Sequence, residues 1–231
     1  MPLPLRIFIG WDDRETAAYH VLAHSIIRRS SIPVAITPVR RAHLPEFTRR
    51  RGKTESTEFS LSRFLVPRLS EPHGWSIFMD CDFLCLADIA ELLQICEQQA
   101  DCGVLVCQHD YTPKTSRKFQ GAIQTTYPRK NWSSLMAFNM ANMAQRNLTV
   151  SHVNEASPLD LHRLKWMDGY RIGRIPLAWN WLVGEYRRNA AAKMLHYTLG
   201  GPWFPETRDC PQADLWRAEF QHMTGGLCAT C

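Results

Sequence analysis

The chain has 231 residues, of which 45% are apolar and 21% charged, with a net charge of +5. That length and balance suit one domain around a single core, residues 1–231 with a frayed tail, and exclude wholesale disorder. No stretch reaches the roughly 18 uncharged apolar residues of a membrane helix, and Arg6 breaks the apolar run of MPLPLRIFIGWDD that a secretory leader would need. The chain therefore reads as cytoplasmic.

LRIFIGW predicts a short buried strand, followed at once by Asp12, Asp13 and Arg14. ETAAYHVLAHSIIRRS places Ala18, Val21, Leu22, Ser25 and Ile26 at helical spacing and ends in arginines. PVAITPV is a second strand, and this β-α-β opening argues for a parallel sheet. STEFSLSRFLVPRL predicts a helix opened by Ser56 or Thr57, with Phe59, Phe64, Leu65 and Leu69 on its packing face. SIFMDCD is a strand, ADIAELLQIC a helix and CGVLVCQ a strand, while residues 110–132 are polar and read as a long loop. SSLMAFNM is a further strand, and PLAWNWLVGEY and KMLHYTLGGPW are later core segments. The fold class is α/β in one domain.

The eight cysteines are irregularly spaced and mostly lie in apolar patterns, so they read as reduced core thiols; Cys228 and Cys231 belong to the tail. Charge is uneven. The window from Arg40 to Lys53 carries six cations against Glu46, leaving twenty-one of each sign elsewhere. It is either a solvated loop or an electrostatic funnel for an acidic acceptor, membrane headgroups at the inner face, or a nucleic-acid strand. Aromatic residues that would stack bases are not interleaved in it, which argues against nucleic acid.

Ligands of open α/β sheets bind outside the carboxyl ends of strands. Asp12-Asp13, Asp80-Cys81-Asp82, and His196 ahead of Gly200 and Gly201 all fall at such ends. On a strand Asp80 and Asp82 point to one side, where two like charges call for a cation. Mn²⁺ or Mg²⁺ suits such oxygen ligands and completes its shell with phosphate oxygens and water. Mn²⁺ also accepts a histidine from elsewhere in the chain. A bare, solvated strand end is the alternative.

IFMDCDFLCLADIAEL resembles the D-x-D strand and helix of family 8-type retaining glycosyltransferases, and HYTLGGPW resembles that family's distal histidine element. FIGWDDRETAAYHVLAHSI, SLSRFLVPRL and SSLMAFNM are similar to its opening, its arginine-bearing helix and its F-N strand, in the expected order. The resemblance implies a GT-A-like open, mixed, mostly parallel sheet flanked by helices, with a Rossmann-like nucleotide-binding half. It implies transfer of a hexose from a UDP-sugar to an acceptor hydroxyl on a glycan, lipid or other molecule. Asp80, Asp82 and His196 would hold the metal. Asp12 or Asp13 would read the uracil or ribose, Arg63 the sugar or diphosphate, and Asn139 the sugar hydroxyls. Gly200 and Gly201 would admit the phosphates, and Asp160 would face the anomeric carbon. The family's lysine before P-W is replaced by Gly201, which shifts diphosphate neutralisation to the metal, Arg63 or a cation of residues 114–118. Two rival readings are a haloacid-dehalogenase-like phosphatase using Asp80 and Asp82, and a non-catalytic nucleotide-sugar-binding module.

Overall fold

In the computed structural model, which describes residues 3–52, 55–114, 121 and 128–225, LRIFIG forms strand β1 (Leu5–Gly10). A 3-10 turn over Asp13–Glu15, capped by the Asp12 carboxylate, leads into helix α1 (Thr16–Arg29). Its apolar stripe buries Ala18, Val21, Leu22 and Ile26, and Arg28 and Arg29 close it where cations favour the carbonyl end of the helix dipole. Strand β2 (Val34–Val39) returns parallel to β1, with Gly10 opposite Val39. Pro38 is tolerated there because β2 is an edge strand.

The later elements are α2 (Val66–Leu69), β3 (Trp75–Met79), β4 (Phe83–Cys85), α3 (Ile89–Glu97), β5 (Val104–Cys107) and β6 (Leu135–Asn139). They continue as α4 (Val150–Glu155), α5 (Pro158–His162), β7 (Ile172–Ile175), β8 (Trp181–Leu182), β9 (Met194–His196) and α6 (Ala213–Met223). The main sheet has the order β2-β1-β3-β6-β5-β7, and a small sheet has the order β4-β9-β8. β1 pairs parallel with β2 and β3, and β5 with β7, whereas β6 is antiparallel to both its neighbours. The sheet is thus mixed, mostly parallel and flanked by helices, as the sequence implied.

Two apolar clusters hold the layers together. The larger includes Ile7, Ile9, Leu22, Phe78, Val106 and Phe138, and the smaller joins Val21 of α1, Leu84, Leu195, Tyr197 and Trp216 under the small sheet. α1 therefore serves both, which fixes the small sheet against the main one.

Three expectations change. The D-x-D is not on a strand: β3 ends at Met79, and Asp80–Asp82 form the turn that crosses from the main sheet to the small one. The helix expected from Ser56 or Thr57 starts later, as a 3-10 turn over Ser62–Leu65 running into α2, because Thr57 and Ser60 bond each other in a local turn. Leu69, expected on the packing face, is exposed.

In the basic window Arg40, Arg41, Arg49 and Arg51 make local contacts, whereas Arg50 is exposed. Arg40 pairs with Asp13 and lies over Trp11, and Arg41 lies over Phe47. Arg49 donates to the carbonyls of Val153 and Ala156, and Arg51 to those of Glu55 and Ser56. Lys53 lies outside the described residues, as do 115–118, Cys228 and Cys231. Cys81, Cys85, Cys96, Cys102 and Cys107 are buried free thiols. Among the described residues no helix is long and apolar enough to cross a membrane.

Candidate metal and sugar-donor site

The site forms at the seam between the two sheets. Asp80 keeps one backbone bond to the main sheet, donating its N–H to Ser134 O at 2.9 Å. Two residues on, Asp82 O accepts from Tyr197 N at 2.9 Å in the small sheet, where Phe83 lies opposite His196. One atom each from Asp80, Asp82 and His196 lie within 4.8 Å of one another, although 114 residues separate Asp82 from His196 in the chain. His196 Nε2 is 3.3 Å from Asp82 Oδ1, and its ring stacks on Phe83 at 4.3 Å and 15°.

This donor set fits a hard divalent ion. Ligands bound at about 2.1 Å in octahedral geometry sit about 3 Å apart, close to the His196–Asp82 spacing. Two carboxylates with one imidazole suit Mn²⁺ better than Mg²⁺.

Arg63 is drawn into the same cluster. It is 5% exposed, with Nη1 2.7 Å from Asp80 Oδ1 and donating at 2.9 Å to Ser133 O. Its guanidinium lies over the rings of Phe59 and Phe78. Behind the turn, Glu15 is buried. Loss of solvent, and then the charges of Asp82 and Asp12, push its carboxyl well above the usual range. Burial likewise drives the Cys81 thiol up, so it is a neutral packing group between the two aspartates.

At the end of β1, Asp12 is 1% exposed and fully engaged. Burial alone would raise its pKa, but Arg14, which binds it by side chain and backbone, and Glu58 N hold it below the usual range. Asp13 is exposed; Trp11 Nε1 and then Arg40 hold it low. Of the two, Asp13 faces solvent, whereas Asp12 builds the turn.

Gly200 has φ +107°, and a Cβ on Gly201 would lie 2.0 Å from the Trp203 ring. Both glycines are thus required by the local backbone and packing. Trp203 itself packs with Tyr197 and Trp216.

Two expected residues are elsewhere. Asn139 lies opposite Trp75, at the far end of β3, roughly 16 Å along the strand from Asp80. Its amide donates to the carbonyls of Ala100 and Cys102, so in this structure it closes a loop away from Asp80. The antiparallel run of β6 is the reason: its beginning, not its end, meets the site. Asp160 is a half-exposed residue of α5, 2.7 Å from Lys165 Nζ. Lys165, with Ser157 next, holds its carboxyl below the usual range, and it is not among the three side chains that converge at the seam.

The structure brings in residues the sequence did not single out. Ser133 Oγ meets His162 Nδ1 at 2.8 Å, directly beside Arg63. Asn180, fully buried, has its side-chain oxygen 2.8 Å from His196 Nδ1. His109 bonds Tyr186 Oη at 2.9 Å; burial, and then His196, drive its pKa down to about 3, so it remains neutral. Ser133, Asn180 and His109 flank strands β6, β8 and β5, whereas His162 ends helix α5.

A sheet of this order with a carboxylate pair at its seam is the GT-A type of glycosyltransferase fold, and solved structures bear that out. The WbbM bifunctional glycosyltransferase superposes with a TM-score of 0.64 at 17% identity, over 98% of this chain and 52% of its own. GlyE of Streptococcus pneumoniae gives 0.64 at 8% identity, over 97% and 63%. The galactosyltransferase LgtC, in complex with donor and acceptor sugar analogs, gives 0.60 at 11% identity, over 95% and 96%. The chain thus spans about half of WbbM and under two thirds of GlyE. No family model matches. Protein CDI of Arabidopsis thaliana is 47% identical over 226 residues, covering 94% of this chain and 86% of its own, and this chain belongs to the family of that protein.

Proposed function

We propose that this protein is a metal-dependent glycosyltransferase that moves a hexose from a UDP-sugar to an acceptor hydroxyl with retention of configuration. The observation that carries the reading is the convergence of Asp80, Asp82 and His196 at the seam of a GT-A-type fold. When bound there, Mn²⁺ or Mg²⁺ would neutralise the charge that develops on the diphosphate as the sugar–phosphate bond breaks. Asp80, Asp82 and His196 would hold it, and so would act on the leaving group and move no proton.

Arg63 offers the fixed cation next to them. Its planar fork suits oxygen recognition, and its bond to Asp80 gives it a second partner to exchange for a diphosphate or sugar oxygen. Asp13 reads the uridine, and the backbone at Gly200 and Gly201 lies along the diphosphate. Ser133 and His162, beside Arg63, take over the sugar-facing role that the sequence had given to Asn139 and Asp160. The acceptor is a hydroxyl-bearing glycan or lipid. The one-domain organisation and a cytoplasmic site of action belong to the same proposal.

The test is release of UDP from a panel of UDP-hexoses with Mn²⁺, for the wild type and for Asp80→Asn and Asp82→Asn. Turnover is expected in the wild type, lost on chelation and lost in both variants while their circular dichroism is unchanged. Equal turnover in either variant refutes the metal role. Hydrolysis of a simple phosphate ester in place of every sugar nucleotide refutes the transferase reading in favour of a phosphatase.

A further inference from the structure

A histidine that ligates through Nε2 must present a lone pair there, and a neutral imidazole carries its proton on either nitrogen. The surroundings of His196 decide which. The residue ends β9, is 2% exposed, and has its ring plane set by stacking on Phe83. Nε2 faces Asp82, and Nδ1 lies 2.8 Å from the Asn180 side-chain oxygen.

An amide can point either way, so its neighbours have to orient it. Asn180 Nδ2 lies 2.8 Å from Ser134 Oγ. The Ser134 hydroxyl donates its single proton at 2.7 Å to the carbonyl of Asn131, an oxygen that only accepts. Ser134 Oγ can therefore only accept from Asn180. Asn180 must then present its NH₂ to Ser134 and its oxygen to His196, and His196 must donate from Nδ1. One backbone carbonyl fixes the direction of every bond in the chain. Asn131 itself holds a left-handed backbone, φ 61°, at the entry to the turn that carries Ser134. Asn180, at the end of the 3-10 turn Leu177–Asn180, is shielded from solvent that would otherwise satisfy either orientation.

We infer that Asn180 is a positioning residue. Through Ser134 and the Asn131 carbonyl it fixes His196 as the Nδ1–H tautomer and holds the Nε2 lone pair toward Asp80 and Asp82, preformed for Mn²⁺. The second half of this inference rests on the metal site proposed above, whereas the tautomer does not. Bonds of this kind to a ligating histidine typically contribute 10–100-fold to metal affinity.

The experiment has two readouts. In metal-free protein labelled with ¹⁵N-histidine, long-range ¹H–¹⁵N correlation reports the tautomer, the His196 signals being identified by their loss in His196→Gln. Mn²⁺ affinity is read by electron paramagnetic resonance of free Mn²⁺. The wild type and Asn180→Asp, which keeps the acceptor, are expected as Nδ1–H, with Mn²⁺ affinities within a few fold of each other. Asn180→Leu is expected to lose the single tautomer and to bind Mn²⁺ about 10–100-fold more weakly. Should Asn180→Leu fail to fold, Ser134→Ala carries the test, since it removes the shorter of the two bonds that orient the amide and leaves Asn180 Nδ2 only the Asn131 carbonyl at 3.5 Å. A mixed tautomer and a loss of about 3–10-fold are expected there. An Nε2–H tautomer in the wild type overturns the inference, as does unchanged Mn²⁺ affinity in Asn180→Leu or, if that variant is lost, in Ser134→Ala. A wild type that shows the Nδ1–H tautomer yet binds no Mn²⁺ overturns the metal reading itself, and the role of Asn180 with it.

Discussion

Replacing Arg63 with methionine tests the electrostatics of the seam most directly. Methionine keeps the length of the stem and its contact with Phe59 and Phe78 but removes the charge 2.7 Å from Asp80 and the bond to Ser133 O. Both side chains are largely buried, 6% and 15% exposed, so water replaces the lost partner poorly. Breaking such a pair from one side costs about 3–5 kcal/mol, a large share of the roughly 5–15 kcal/mol that holds a domain folded. With a urea slope near 3 kcal/mol per molar, the unfolding midpoint of the metal-free variant is expected to fall by about 1–2 M. Mn²⁺ supplies the counter-charge that Asp80 has lost. Saturating Mn²⁺ is therefore expected to raise the midpoint of Arg63→Met more than that of the wild type, by the mass-action gain of a ligand that binds the folded state. The assay is urea unfolding followed by tryptophan fluorescence and circular dichroism together, with and without Mn²⁺. A destabilisation under about 1 kcal/mol would show that Asp80 does not depend on Arg63. Equal protection of both proteins by Mn²⁺ would show that the cation and Arg63 do not share that carboxylate.

Three further outcomes follow from other parts of the molecule. Asn139→Ala is expected to lower stability by about 1–3 kcal/mol, since two carbonyls lose their donor, while UDP release per folded molecule stays unchanged; a selective loss of turnover would return Asn139 to the site. Gly201→Ala drives a methyl into Trp203 and is expected to cost about 1–3 kcal/mol with a shifted tryptophan emission, whereas wild-type melting would refute the contact. Glu219 links α6 to α1 through Arg28, Arg29 and His24; burial would raise its pKa, but these partners bring it down to about 2. Its folded value lies below the ordinary 4.5, so its contribution is complete above pH 4.5 and fades as pH falls through about 2. Glu219→Gln should accordingly melt lower than the wild type at pH 7, with the gap closing across that acid window; a constant gap down to pH 2 would contradict the assignment.

Local patterning was readable where each element carries its own signal. The apolar run of β1 and the stripe of α1 depend on neighbours in the chain, and they appear where the spacing put them. Helix α6 and strand β7 were not anticipated, because α6 buries a stripe against α1 rather than the main sheet and β7 is an edge strand with one exposed position between buried ones. The site divided along the same line. Asp80, Asp82 and His196 stood out by residue type and order, but their meeting depends on the Phe83–His196 register across the small sheet.

The sequence by itself determined the α/β class, the apolar faces and which residues had the chemistry to hold a cation, because these follow from periods of two and 3.6 and from the nature of side chains. Tertiary structure alone decided direction and proximity. Whether β6 runs with or against β3 is invisible in SSLMAFNM, yet that choice sends Asn139 to the far end of the sheet and brings Ser133 and Ser134 to Asp80. The bonds that set it are backbone pairings between segments more than fifty residues apart, which no local pattern encodes.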